Sequence, residues 1–173
     1  MSQRTTEGRD SKQFALDGPE LKPGDKAPDF KLQQRTEAGL IDVTLAAFAG
    51  KTLLVSVVPS LDTPVCALQT KRFNESAATL PDSVAVLTVS ADLPFAQARF
   101  CGAEEVDKLQ VASDHRDVNF GKAYGVLIAE GPFERCLSRA IFVVQPDGNL
   151  KYVEYVPKIP DHPNYDAALA AVA

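Results

Sequence analysis

The chain has 173 residues and a formal net charge of −5, and its apolar and charged fractions are ordinary for a globular protein. This length is most simply one domain that buries a core without disulfides or metals. Lysine and arginine form no tract or stripe, which argues against nucleic acid and anionic membranes as partners. No apolar stretch approaches a membrane span, and residues 1–10 carry no apolar signal segment, so we expect a cytoplasmic protein.

Residues 1–13 lack periodicity and are expected to form a flexible N-terminus. Within residues 14–21, the turn signal Asp17-Gly18-Pro19 lies between short apolar pieces. This pattern predicts a small N-terminal β-hairpin centred on that turn.

A continuous apolar run over residues 52–58 predicts a strand that is buried on both faces, as in a parallel sheet. The apolar residues after this run recur at helical spacing. Cys66 shares one helix face with Phe73, Ala77 and Leu80, because the spacings of seven, four and three residues belong to a single stripe. We therefore expect the Cys66 sulfur to face inward at the head of a buried helix face.

Residues 84–89 predict a second buried strand. A short helix follows, with Asp92 as its candidate N-cap and Pro94 in its first turn. This helix is expected to end at Cys101 and Gly102, because glycine suits a C-cap.

Residues 140–144 and 150–156 flank a turn at residues 145–148 and predict an antiparallel hairpin. An alanine-rich helix is expected over residues 164–172. Buried parallel strands followed by an antiparallel hairpin indicate an α/β fold with a mixed central sheet and helices on both faces.

Three cysteines and two histidines are the candidates for redox and metal chemistry. No CxxC occurs, and no histidine lies at metal-ligand spacing from a cysteine, so a zinc site is not expected. The odd number of cysteines argues against a purely structural disulfide framework. Each cysteine is therefore either an inert core residue or a reactive one.

The turn before the Cys66 helix carries the candidate chemistry. Pro59 ends the strand because it cannot donate to the ladder, Thr63 suits the N-cap, and Pro64 suits the first helical position. Cys66 then lies in the first turn, where the helix macrodipole stabilises a thiolate by roughly 0.3–1 kcal/mol. That contribution is modest, so a cationic side chain from elsewhere is needed, and arginine is the natural choice.

An inert core cysteine is the competing interpretation, because free cysteine is among the most buried residue types. The combination of an N-cap, a proline at the first helical position, a polar turn and a second cysteine at a helix end weakens that interpretation and keeps a reactive thiol open.

Two blocks of the sequence resemble one protein family. Pro59-x-x-x-Thr63-x-x-Cys66 is the PxxxTxxC signature of the peroxiredoxins. Residues 90–104, SADLPFAQARFCGAE, resemble the segment that carries the resolving cysteine in the bacterial thiol peroxidases, an atypical 2-Cys branch. The resemblance covers roughly residues 14–172, and it implies a single thioredoxin-like domain over residues 14–173.

The resemblance implies a role for each matching residue. Cys66 would be the peroxidatic cysteine, and Thr63 would hydrogen-bond the thiolate and the peroxide. Arg139 would be the distant cation, and Pro59 would shield the site from water. Cys101 would be the resolving cysteine, which condenses with the Cys66 sulfenic acid to give an intramolecular disulfide.

Partners are also implied by the resemblance. The substrates would be hydrogen peroxide and alkyl or lipid hydroperoxides, and thioredoxin would be the reductant. The protein would be a homodimer that uses neither a metal nor an organic cofactor.

Several alternatives stay open. Cys136 lies three residues before Arg139 and departs from the apolar residue usual at that place, so it is either a spectator or a backup thiol. Arg99 either positions the resolving segment or is a solvated helix charge. The bacterioferritin-comigratory branch of the family often has its resolving cysteine five residues after the peroxidatic one. That position is Lys71 here, which disfavours this branch. A redox-switched binding module or holdase, and a structural domain with incidental cysteines, are the rivals from other classes.

Overall fold

The computed structural model describes residues 3–173 and contains two β-sheets with helices packed against them. The strands are β1 (Thr5–Glu7), β2 (Gln13–Asp17), β3 (Lys31–Thr36), β4 (Gly39–Thr44), β5 (Thr52–Val57), β6 (Val84–Ser90), β7 (Gln110–Ser113), β8 (Leu127–Ile128), β9 (Ala140–Val144) and β10 (Leu150–Tyr155). The helices are α1 (Pro64–Ala77), α2 (Pro94–Ala103), α3 (Asn119–Ala123) and α4 (Tyr165–Val172), with a 3-10 turn at Leu45–Phe48.

The larger sheet is mixed and has the strand order β10-β9-β5-β6-β7-β3-β4. Strands β5, β6 and β7 are parallel, whereas β9 pairs with both β5 and β10 in antiparallel register. At the centre, Val55 lies between Leu87 of β6 and Phe142 of β9. The predicted buried strand, the predicted C-terminal hairpin and the mixed thioredoxin-like sheet are therefore confirmed.

Strand β5 contributes to a core on each face of the sheet. Val55 packs into one apolar cluster with Phe120 of α3, and Leu54 packs into another with Phe73 of α1 and Tyr165 of α4. Helix α1 thereby lies against the sheet, with its first turn at the carboxyl end of β5. None of the described helices is long and apolar enough to cross a membrane.

The predicted N-terminal hairpin is present, but its turn is not where the sequence pattern predicted it. Strands β1 and β2 pair with Thr6 opposite Phe14, so the turn lies at residues 8–12 and not at Asp17-Gly18-Pro19. Part of the segment that was expected to be flexible forms β1, whose Thr6 is buried. A three-residue strand is too short to show alternation, and β1 is held by distant backbone, since the Ile159 N–H donates to the Glu7 carbonyl.

Helix α2 departs from the prediction at both ends. Its N-cap is Leu93 instead of Asp92, and it continues through Gly102 to Ala103. The helix ends because Glu105 adopts a left-handed conformation (φ 55°), which lets the Val106 N–H donate to the Cys101 carbonyl. This Schellman-type bond closes the last turn, so glycine is not needed as the cap.

Candidate active site

The turn between β5 and α1 places Cys66 as predicted. Pro59 is buried two residues after the end of β5, Thr63 is the N-cap in extended conformation, and Pro64 is the first helical residue. The Thr63 hydroxyl does not cap the helix, however. It donates to the Ser60 carbonyl at 2.8 Å, which fixes the shape of the turn.

Cys66 is 1% exposed and packs in a small cluster with Val58, Leu61 and Phe100. The inward orientation predicted from the helical stripe is therefore confirmed. All three cysteines are unpaired thiols, so this structure is the reduced state.

Arg139 supplies the cation that the local turn lacks. Its Nη1 and Nη2 atoms each lie 3.5 Å from the Cys66 sulfur, and the side chain is only 2% exposed. The guanidinium is fixed by its other contacts. Nη2 donates to the Ile159 carbonyl at 2.7 Å, and Nη1 donates to Oε1 of Gln69 at 2.9 Å.

The charge of Arg139 is not balanced by a carboxylate. Among residues 3–173, every ion pair within 4.0 Å involves other side chains, all of them outside this site. A buried cation without an anion is unfavourable, because it loses hydration without gaining a charge partner. Among the described residues, Cys66 is the only ionisable side chain that hydrogen-bonds to Arg139.

Gln69 is the residue of the site that the sequence analysis did not single out. It is fully buried, and its Nε2 donates to the Ser56 hydroxyl at 2.8 Å, which turns its Oε1 toward Arg139. A usable signal was present. Gln69 lies three residues after Cys66 on the inward stripe, where an apolar side chain is the norm.

Cys66 is one of the residues that line a cavity of about 370 Å³. Its walls are mainly apolar and come from distant segments of the chain, with Phe14, Pro59, Pro132, Phe133, Ile159 and Pro160 among them. Arg9, Asp10 and Lys12 of the β1–β2 turn stand at the same cavity. The N-terminal hairpin therefore builds part of the site, which the sequence analysis did not anticipate.

Cys101 lies on α2 at the edge of the cluster that holds Cys66, but the two sulfurs are not bonded. Burial raises the pKa of the Cys101 thiol to about 11, so the resting group is protonated at neutral pH. Cys136 packs in a cluster with Phe14 and Ile128, behind the cavity wall and not in its lining, and burial raises its thiol pKa as well. The structure thus brings Arg139 to Cys66 and leaves Cys136 outside the cavity lining.

Arg99 is exposed on α2, and its side chain makes no hydrogen bond or ion pair within the described chain. The solvated-charge interpretation therefore holds for this residue.

No three His, Cys, Asp or Glu side chains of residues 3–173 come together as a metal site would require.

The assembled groups suit one kind of chemistry. A sulfur beside a fixed guanidinium, at a helix N-terminus and at the base of an apolar cavity, is placed to attack an electrophile. The N–H donors around it are already oriented for negative charge that develops during the reaction.

Comparisons with known proteins agree with this geometry. The Redoxin family model matches residues 22–169. The thiol peroxidase of Bacillus subtilis is 50% identical over 156 residues, covering 90% of this chain and 89% of that protein. The thiol peroxidase of Listeria innocua is 51% identical, with 90% of each chain covered.

Among solved structures, a peroxiredoxin-like protein from Aquifex aeolicus superposes with a TM-score of 0.90 at 41% identity. That match covers 98% of this chain and 95% of the other. The chain therefore belongs to the Redoxin family and is an enzyme of the peroxiredoxin type.

Proposed function

We propose that this enzyme reduces hydrogen peroxide and alkyl or lipid hydroperoxides, with Cys66 as the peroxidatic cysteine and Cys101 as the resolving cysteine. One observation carries the proposal. The buried guanidinium of Arg139 places two nitrogen atoms 3.5 Å from the Cys66 sulfur and has no carboxylate partner within the described chain. A thiolate at Cys66 completes that charge pair.

In the first step, the Cys66 thiolate attacks the terminal oxygen of the hydroperoxide. The S–O bond forms as the O–O bond breaks, giving Cys66 sulfenic acid and an alkoxide that takes up a proton to become the alcohol (hydroxide and water for hydrogen peroxide). Arg139 and the Cys66 backbone N–H stabilise the negative charge on the leaving oxygen. Pro59 covers the sulfur and limits access of water.

Thr63 has a specific part in this step. Its single hydroxyl proton is directed at the Ser60 carbonyl, so its oxygen is left as a hydrogen-bond acceptor. The Thr63 oxygen then accepts the O–H of the bound peroxide and orients the O–O bond toward the sulfur. The apolar cavity accommodates the alkyl part of a larger hydroperoxide.

In the second step, the Cys101 thiol attacks the sulfenic sulfur. The S–S bond forms, the S–O bond breaks, and the leaving hydroxide combines with the Cys101 proton as water. A disulfide needs the two Cα atoms within about 7 Å, and both cysteines lie in helices. The last turn of α2 is the segment that unwinds at least cost, because Gly102 and Ala103 are exposed there.

A thioredoxin-like dithiol then reduces the Cys66–Cys101 disulfide by thiol–disulfide exchange and restores both thiols. The choice of thioredoxin and the homodimeric state rest on the family resemblance.

Three serine variants test the cycle. We expect Cys66→Ser to abolish peroxide consumption. Cys101→Ser is expected to consume about one equivalent of peroxide but to be turned over poorly by thioredoxin. Cys136→Ser is the matched control and is expected to turn over like the wild type. Undiminished activity of Cys66→Ser would refute the mechanism.

A further inference from the structure

Asp92 links the two segments that carry Cys66 and Cys101. It lies between β6 and α2, and its Oδ1 accepts a hydrogen bond from the Ser60 hydroxyl at 2.8 Å. Its Oδ2 accepts from the Leu61 N–H at 2.8 Å and from the Ser90 hydroxyl at 2.7 Å. The Asp92 carboxylate therefore links the turn before α1 to the end of β6, next to the N-terminus of α2.

On the α1 side, the hydrogen bonds continue to the peroxidatic turn. The Ser60 carbonyl accepts both the Thr63 N–H at 3.2 Å and the Thr63 hydroxyl at 2.8 Å. The direction of the Thr63 hydroxyl thus depends on where Ser60 is held, and the Ser60 side chain is held by Asp92. A displacement of Ser60 would turn the Thr63 oxygen away from the place where it accepts the peroxide O–H.

On the α2 side, the same network reaches the helix that carries Cys101. The Ser90 hydroxyl donates to Asp92 and accepts from Nε2 of Gln97 at 2.9 Å. Ser90 and Gln97 are both buried, and Gln97 lies one helical turn before Cys101. The Asp92 backbone carbonyl also accepts from the Ser113 hydroxyl of β7, which fixes this point relative to the sheet.

We propose that Asp92 is a positioning residue for the peroxidatic step, acting through Ser60 on Thr63. The inference rests on the proposed function, because it assigns the residue to the first of its two steps. Attack on peroxide needs the turn and α1 in the arrangement of the reduced structure. Disulfide formation needs local rearrangement instead, so loss of the Asp92 contacts slows the first step without slowing the second.

The experiment measures the two steps separately in single-turnover reactions with hydrogen peroxide, by rapid quenching and thiol alkylation. The first rate depends on peroxide concentration, and the second does not. For Asp92→Ala we expect the first rate constant to fall by about tenfold or more, because misplacement by an ångström can cost about a hundredfold. The second rate constant is expected to be equal to or above that of the wild type.

Two further variants separate positioning from mere stability. Asp92→Asn keeps an oxygen for Leu61 and Ser90 and offers an N–H to Ser60, so it is expected to restore the first rate to within about threefold. Asp107→Ala deletes an exposed carboxylate outside this network and is expected to match the wild type. A purely structural role for Asp92 would not slow one step selectively in folded protein.

A first rate constant of Asp92→Ala within about twofold of the wild type, or an equal slowing of both steps, overturns the inference. If Asp92→Ala does not fold, Ser60→Ala replaces it. That variant removes one donor to Asp92, and an unchanged first rate would overturn the inference equally. If the wild type itself shows no peroxide-dependent oxidation of Cys66, the proposed function fails and the inference fails with it.

Discussion

Replacing Arg139 with methionine removes the cation and keeps most of the side-chain volume. Two unit charges 3.5 Å apart interact by about 5 kcal/mol at an effective dielectric constant of about 20. This value is an upper bound on the stabilisation that the thiolate loses. The helix N-terminus is unchanged in the variant and still stabilises the thiolate by roughly 0.3–1 kcal/mol. Since each 1.4 kcal/mol is about tenfold, we expect the rate constant for Cys66 oxidation to fall by roughly a hundredfold to a thousandfold.

The variant is expected to fold. Methionine leaves the acceptors on Gln69 and Ile159 unpaired, which costs about 1–3 kcal/mol for each buried group. Removing a buried cation that has no carboxylate partner offsets this, because desolvating such a charge costs several kcal/mol. Thermal unfolding of the reduced protein checks that the comparison is between folded states.

The assay is the second-order rate of Cys66 oxidation by hydrogen peroxide, read by alkylation and mass spectrometry of the quenched protein. Arg99→Met is the matched control, since it removes an exposed arginine of α2, and it is expected to react like the wild type. A rate for Arg139→Met within about threefold of the wild type would refute the assignment of Arg139 as the partner of the thiolate.

Gln69→Glu is expected to slow Cys66 oxidation by roughly a hundredfold, because a carboxylate beside Arg139 would replace the thiolate as its charge partner. Gln69→Leu should have the smaller effect, and equal rates in the two variants would contradict this account. The rate of disulfide formation after one equivalent of peroxide is expected to rise between about pH 7 and about pH 9. The reason is that the Cys101 thiol has a pKa of about 11. Below that pH, each rise of one pH unit increases the fraction of Cys101 thiolate about tenfold. A flat pH profile for that step would show that deprotonation of Cys101 does not limit it.

Local patterns were enough to predict the elements that position Cys66. The apolar run of β5, the proline after the N-cap and the stripe through Phe73 are all encoded within about 20 residues, and each is confirmed. The hairpin of β9 and β10 was predicted for the same reason, because its turn and both its strands are contiguous.

The features that local patterns could not predict depend on contacts between distant segments. Arg139 lies 73 residues from Cys66, and the two meet because β9 pairs beside β5, which only the family resemblance anticipated. Strand β1 gains its register from β2 and from backbone near Ile159, so its own three residues carry no signal. Asp92 fits the pattern of an N-cap, but its oxygens are occupied by donors from the turn before α1 and from β6.

Peptide mapping of the protein after one equivalent of hydrogen peroxide tests the central claim most directly. The proteolysed, non-reduced sample is analysed for disulfide-linked peptides, with the remaining thiols alkylated beforehand. We predict one dominant linkage, between the peptides that contain Cys66 and Cys101, and a free thiol at Cys136. A dominant linkage that involves Cys136, or an unoxidised Cys66, would contradict the proposed cycle.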